Sequence, residues 1–382
     1  MKIVYNNIDC INYGGKTMKK IISILLSFVI ISSSAYAADV IVNGNSVGNV
    51  LVVDEKVYVP LRAVSENLGA QVSWNDATET AYVSTYNGVQ ELIPQIVKNA
   101  SDYVVGVIGY YEDNKTDGIA YGSGFVIAED GKILTNAHVV SGLKKIMVVM
   151  NDGKAYSAKV SNIDSEADIA LLKIEKKGLK TAKLADMNTV EVGQTVIAIG
   201  TPISFSLRNS ATVGIISGLN RSSDNSYRLI QSDATLNRGN SGGPLLNLKG
   251  EVVGMGTQGI VGVGVSGLYF SVTADTIEYA LDHFEKYGRI RRPVLGAVLG
   301  EGWLAKYDLP SDEGLVIKEV QKDSAALKAG LESGDAIMGI GDVKFATIVD
   351  YNEAMKAYLP GDSVPFKIRR GNSVYTVNIV ME

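Results

Sequence analysis

Between residues 92 and 290 of this 382-residue chain the apolar residues fall in short runs, and that grouping limits the fold more than any other feature. The runs lie at 125–127, 133–135, 169–174, 196–199, 229–231, 245–247 and 252–255, with turns such as Glu129-Asp130-Gly131 and Lys249-Gly250 between them. Many short strands joined by glycine-bearing turns imply a sandwich or a pair of barrels. Forty glycines against eight prolines fit the same turn-rich reading. One helix closes the region: Ile277, Ala280, Leu281 and Phe284 keep helical spacing, and Gly288 stops it.

The flanks differ in character. Residues 39–86 read as a small α+β unit, with strands at 40–42, 50–53 and 57–59 and turns at Asn43-Gly44 and Asp54-Glu55. Its helix opens at Pro60-Leu61-Arg62 and sets Leu61, Val64 and Leu68 on one face, and Val72, Trp74, Tyr82 and Val83 then alternate as in strands. Residues 87–92 form a short polar link. Residues 293–382 predict strands at 315–320 and 336–340, helices at 325–331 and 351–358, and a hairpin of 366–369 with 374–379 about Gly371-Asn372.

Charge and cysteine usage remove several classes of function. The net charge is −5; residues 1–37 contribute +3, leaving −8 on the remainder. Nucleic-acid binding needs a clustered basic surface, so it is not expected. Cys10 is the only cysteine, which excludes a disulfide framework within the chain and a cysteine-rich zinc site. Met18-Lys19-Lys20, the apolar run 21–31 and Ser32-Ser33-Ser34-Ala35-Tyr36-Ala37 have the three parts of an export signal over residues 18–37, cleaved after Ala37. An uncleaved membrane anchor is the alternative. Either way the chain is expected outside the cytoplasm, extracellular or held at the cell surface.

The chemistry concentrates in a few residues. In Gly239-Asn240-Ser241-Gly242-Gly243-Pro244 a serine stands among glycines that allow a tight turn and leave backbone N–H groups open to a substrate carbonyl. A serine hydroxyl is a weak nucleophile and needs an adjacent base. Only two histidines exist. His138 lies just past a strand end, whereas His283 reads as lying on a solvated helix face. Asp168 precedes the apolar strand 169–174 and suits the role of orienting the imidazole; Asp164, four residues earlier, is the competitor. The oxyanion donors expected are the N–H groups of Gly239 and Ser241, with Asn240 as a third candidate. The chain order His, Asp, Ser is that of chymotrypsin-like double barrels.

These motifs carry a resemblance. Thr135-Asn136-Ala137-His138-Val139-Val140, Ala167-Asp168-Ile169-Ala170-Leu171-Leu172-Lys173, Gln231-Ser232-Asp233-Ala234 and residues 239–245 resemble the HtrA/DegP-like proteases across residues 92–290. The resemblance implies a mainly β fold, a chymotrypsin-like pair of six-stranded barrels with the triad between them. It also implies an ATP-independent serine endopeptidase acting on unfolded or damaged proteins, commonly as a homotrimer, with no metal or cofactor. Thr235 and Val272 would line the pocket for the residue before the scissile bond and favour small aliphatic side chains. The family usually has proline at the positions of Arg238 and Thr273, so the resting shape of the oxyanion loop is a point of departure. Residues 293–382 resemble one PDZ domain, with Gly314-Leu315-Val316-Ile317 as the loop and strand that bind a peptide C-terminus. Residues 39–86 resemble the copper amine oxidase N-terminal-like domain; without His, Cys or Met they lack copper ligands. A non-proteolytic binder or holdase using the same surfaces is the rival function.

Overall fold

The computed structural model describes residues 40–382 apart from 43, 54–55, 76–79, 85, 112–117, 203, 223–225, 261–265 and 308. The export segment therefore lies outside the described residues, as do the turn residues Asn43, Asp54 and Glu55. Two compact units divide the chain, 1–89 and 90–382. Among the described residues no helix is long and apolar enough to cross a membrane.

Three two-stranded hairpins and a helix make up the first unit. β1 (Val40–Val42) pairs with β2 (Asn45–Val47), β3 (Leu51–Val53) with β4 (Lys56–Tyr58), and β5 (Gln71–Asn75) with β6 (Thr80–Ser84). The helix Leu61–Asn67 forms where expected, but its apolar stripe does not turn inward. Leu61 and Leu68 are exposed, while Ser65 is buried. So short a chain has too little apolar surface to enclose every hydrophobic side chain. The expected polar link is instead part of a helix, Tyr86–Ala100, whose Ile96 and Ala100 are buried in the core of the second unit.

That core is built from two closed six-stranded barrels. The first is formed by β7 (Val104–Tyr110), β8 (Ile119–Ala128), β9 (Lys132–Thr135), β10 (Lys145–Val149), β11 (Ala155–Asp164) and β12 (Ile169–Ile174). The second is formed by β13 (Thr195–Gly200), β14 (Ser210–Arg221), β15 (Leu229–Ser232), β16 (Pro244–Leu246), β17 (Val252–Gly259) and β18 (Tyr269–Thr273). Closure pairs every strand on both sides, so neither barrel has an open edge to protect. Phe125, Ile133, Leu134, Ile169, Leu172 and Ile174 fill the first barrel, and Ile197, Ile199 and Leu229 stand among the fully buried side chains of the second. The helix Ala274–Tyr287 packs on β17 and β18 through Ile277, Ala280 and Phe284 and ends at Gly288, whose φ of +72° favours glycine.

After that helix comes a sheet ordered β19 (Ala297–Gly300), β20 (Leu315–Val320), β21 (Ala336–Ile340), β23 (Ser363–Arg370) and β24 (Ser373–Val380), with β22 (Val343–Lys344) against β21. The helix Ile348–Met355 begins three residues before its expected start because Thr347 and Asp350 form a capping box. The carboxylate-loop assignment to Gly314-Leu315-Val316-Ile317 is corrected by the register. Val316 pairs with Gly300 on one side and Ala336 on the other, and Leu315 and Ile317 are fully buried. An interior strand has no edge to offer a peptide. The sheet's outer strands are β19 and β24, and β19, beside β20, is the one that sequence reading missed because it is short.

His283 also differs from expectation: it is buried, not solvated. Its ring packs against Tyr279 (centroids 4.4 Å apart) and Tyr287 (5.3 Å), and Nδ1 accepts the backbone N–H of Arg291 at 3.0 Å. Burial holds its pKa below the ordinary value, helped by Lys286, Arg292 and Arg291 and opposed by Asp282. A histidine depressed in this way takes up its proton in the unfolded chain first. Its contribution to stability is whole above its ordinary pKa of about 6.5 and is lost as pH falls through the lower folded value. Urea unfolding midpoints should therefore drop over that window in the wild type and drop less in His283→Asn, which can still accept the Arg291 N–H. Equal acid sensitivity of the two proteins would remove His283 as the responsible group.

Candidate active site

The cleft between the barrels collects side chains from both. His138 stands on a single helical turn, Ala137–Val140, directly after β9. Its backbone N–H donates to Asp168 Oδ1 (3.0 Å), and its Nδ1 lies 2.9 Å from Oδ2 of the same carboxylate. One carboxylate thus holds both the main chain and the ring of His138. With Nδ1 as the donor, the Nε2 lone pair is left for a proton. The imidazole is half exposed, while the Asp168 side chain is only 15% exposed.

Asp168 is held in an uncommon conformation, with φ at +54°. Asn136 Nδ2 donates to its carbonyl (3.1 Å), and Thr257 Oγ1 donates to Oδ2 (2.5 Å). The competitor Asp164 is engaged elsewhere. Arg292 grips both its oxygens at 2.7 Å, and Oδ1 also accepts the N–H of Ala167 (2.8 Å).

Ser241 lies on the turn between β15 and β16. Gly239 and Gly242, at φ of +105° and +88°, give the turn its shape. The Ser241 hydroxyl donates to the carbonyl of Thr257 at 3.0 Å, so one threonine receives the serine through its carbonyl and serves Asp168 through its hydroxyl. Asn240 N–H is taken up by the Asn237 carbonyl (2.9 Å), whereas the N–H groups of Gly239 and Ser241 have no acceptor among the described residues. Arg238, beside this turn, is exposed and makes no ion pair among the described residues.

The specificity residues fall less neatly. Val272 is 1% exposed within the barrel core, and Thr235 accepts a hydrogen bond from Thr212 through its carbonyl. The side chain set against the empty face of Gly256 is Leu236: a β-carbon on Gly256 would lie 3.1 Å from its Cδ1. Sequence reading missed Thr257 and Leu236. Neither sits in a local motif, and each joins the site only when β17 folds alongside the serine turn.

Similarity to known proteins agrees with this geometry. Residues 122–255 match the trypsin-like peptidase domain, 297–381 the PDZ domain, and 38–99 the copper amine oxidase N-terminal domain. A protein named putative serine protease HhoB from Synechocystis is 36% identical over 267 residues, covering 65% of this chain and 63% of its own length. A probable periplasmic serine endoprotease DegP-like from Halomonas elongata is 34% identical over 286 residues, covering 72% and 58%. The chain thus spans about three fifths of the curated relatives it matches. The crystal structure of the serine endoprotease from Yersinia pestis superposes with a TM-score of 0.60 at 28% identity, over 75% of this chain and 96% of that one. The chain carries a trypsin-like peptidase domain, one PDZ domain and a copper amine oxidase N-terminal domain, and it is a relative of the HtrA/DegP serine proteases.

Proposed function

We propose that this protein is an exported serine endopeptidase that cleaves unfolded or damaged proteins with His138, Asp168 and Ser241. The observation that carries the reading is the doubly held His138: its Nδ1 and N–H are fixed on one shielded carboxylate, which leaves Nε2 as the ring atom to take a proton from the glycine-flanked serine. In the reaction the Ser241 hydroxyl leaves the Thr257 carbonyl and turns to the imidazole. Nε2 takes the proton as Oγ attacks the peptide carbonyl, and the oxyanion settles on the unoccupied N–H groups of Gly239 and Ser241. Collapse returns the proton to the leaving amine and forms the acyl-enzyme, which water then hydrolyses by the same route. Asn240 N–H is already committed and takes no part. The residue before the scissile bond enters beside Thr235 and Leu236, the latter packed against Gly256, and small aliphatic side chains are the ones favoured there.

The PDZ domain captures peptide C-termini along the free edge of β19. Leu295 and Gly296 lead into that edge, and Tyr351 and Met355 of the nearby helix line the same cavity of about 250 Å³. Export, in keeping with relatives named as periplasmic, and assembly into a homotrimer, as the family resemblance in the sequence implies, complete the reading.

Fluorophosphonate should label the wild type at Ser241 and leave Ser241→Ala unlabelled. Casein turnover should fall about 10⁴-fold in Asp168→Asn, in which the imidazole loses its anionic partner. In Thr257→Val it should fall about tenfold, because one charge-assisted hydrogen bond is lost while the shape is kept. Labelling that persists in Ser241→Ala, or full activity in Asp168→Asn, would exclude this triad. When a peptide with a free C-terminus is added, hydrogen exchange should slow over residues 297–300 and stay unchanged over 315–317. Protection gained at 315–317 alone would place the ligand elsewhere.

A further inference from the structure

We infer that Ser123, on the opposite barrel from the nucleophile, is a positioning residue that aims the oxyanion donors. The inference rests on the proposed Ser241 chemistry. Ser123 lies in β8 of the first barrel and is fully buried. Its hydroxyl donates to the carbonyl of Gly239 (2.7 Å) and accepts the N–H of Thr201 (2.8 Å), which follows β13 of the second barrel. Its backbone N–H donates to the carbonyl of Ser241 (2.8 Å), and its own carbonyl accepts the hydroxyl of Thr135 (2.7 Å).

A serine hydroxyl has a single proton. Because the Thr201 N–H occupies a lone pair of the oxygen, that proton is directed to Gly239. The Gly239 carbonyl and the Asn240 N–H belong to one planar peptide unit. Ser123 therefore holds one end of this plane, and the Asn237 carbonyl holds the other at 2.9 Å. On either side of the pinned plane lie the N–H groups of Gly239 and Ser241, the two without acceptors among the described residues. Fixing the plane fixes the backbone rotations that direct both of them. The contact admits no filler, since a β-carbon on Gly242 would fall 2.1 Å from the Ser123 carbonyl oxygen.

Ser123→Ala in the full chain removes the hydroxyl and keeps the backbone bond to Ser241. Its kcat on a chromogenic peptide should fall about 30-fold, less than the 10²–10³-fold that follows loss of a donor outright, with KM within about twofold. A peptide boronate, which mimics the tetrahedral adduct, should bind more weakly by the same factor, while the product peptide binds as before. A merely structural loss would weaken both ligands together, and that result overturns the proposal. So does an unchanged kcat in a folded variant. If Ser123→Ala does not fold, Ser123→Cys, similar in volume but a weaker donor, should show the same split to a smaller degree; no split in that variant also overturns it. Absence of fluorophosphonate labelling in the wild type would defeat the protease reading itself, whereas labelling with unaltered Ser123 kinetics defeats only this one.

Discussion

Two closed barrels have no sheet edges left to join them, so the polar seam where they meet decides the geometry of the cleft. At that seam Ser123 binds the nucleophile turn, the end of β13 and Thr135 with its four polar positions all in use. Each is buried, and a buried polar group without a partner costs about 1–3 kcal/mol, so sliding one barrel against the other breaks several such bonds at once. The glycines of the serine turn follow from this closeness. Gly242 and Gly243 lie against backbone carbonyls of Ser123 and Ile199, where even a methyl group would collide.

A similar economy joins the PDZ domain to the second barrel. The N–H and guanidinium of Arg228 donate to Glu353 and Asp350, Asn352 donates to the Ser226 carbonyl, and Lys356 reaches Thr276. Two cations approach the Tyr227 ring, Lys356 at 4.7 Å and Arg292 at 5.5 Å, and burial raises its phenol pKa well above the ordinary value against the opposing pull of Arg292. These contacts are mostly polar and partly exposed, unlike the apolar packing inside either barrel. Residues from both domains, Glu166 and Tyr227 on one side and Leu295 and Tyr351 on the other, enclose the cavity beside β19.

Much of this was legible in the chain. The strands 169–174, 315–320 and 336–340 lie where their apolar runs put them, because buried strands announce themselves by composition. The partnership of His138 with Asp168 was readable because scarcity of histidine left few choices. Other features depend on distant partners and leave no local trace. Gly-Leu-Val-Ile and Leu-Gly-Ala-Val look alike as text, and only sheet order reveals which has a free edge. His283 reads as solvated beside Asp282 and Lys286, yet the rings one turn away on either side and the chain at Arg291 close over it. Leu61 and Leu68 have helical spacing without enough neighbouring surface to bury them.

The two aspartates at 164 and 168 begin as near equals in sequence and end with different neighbours. Asp164 is neutralised in advance by the fixed guanidinium of Arg292. Asp168 faces an imidazole and a hydroxyl, neither of which carries a permanent positive charge. Its negative charge is consequently held in reserve until a proton reaches the ring. Had the arginine faced residue 168 instead, the electrostatic gain on forming an imidazolium would already have been used up in the resting state.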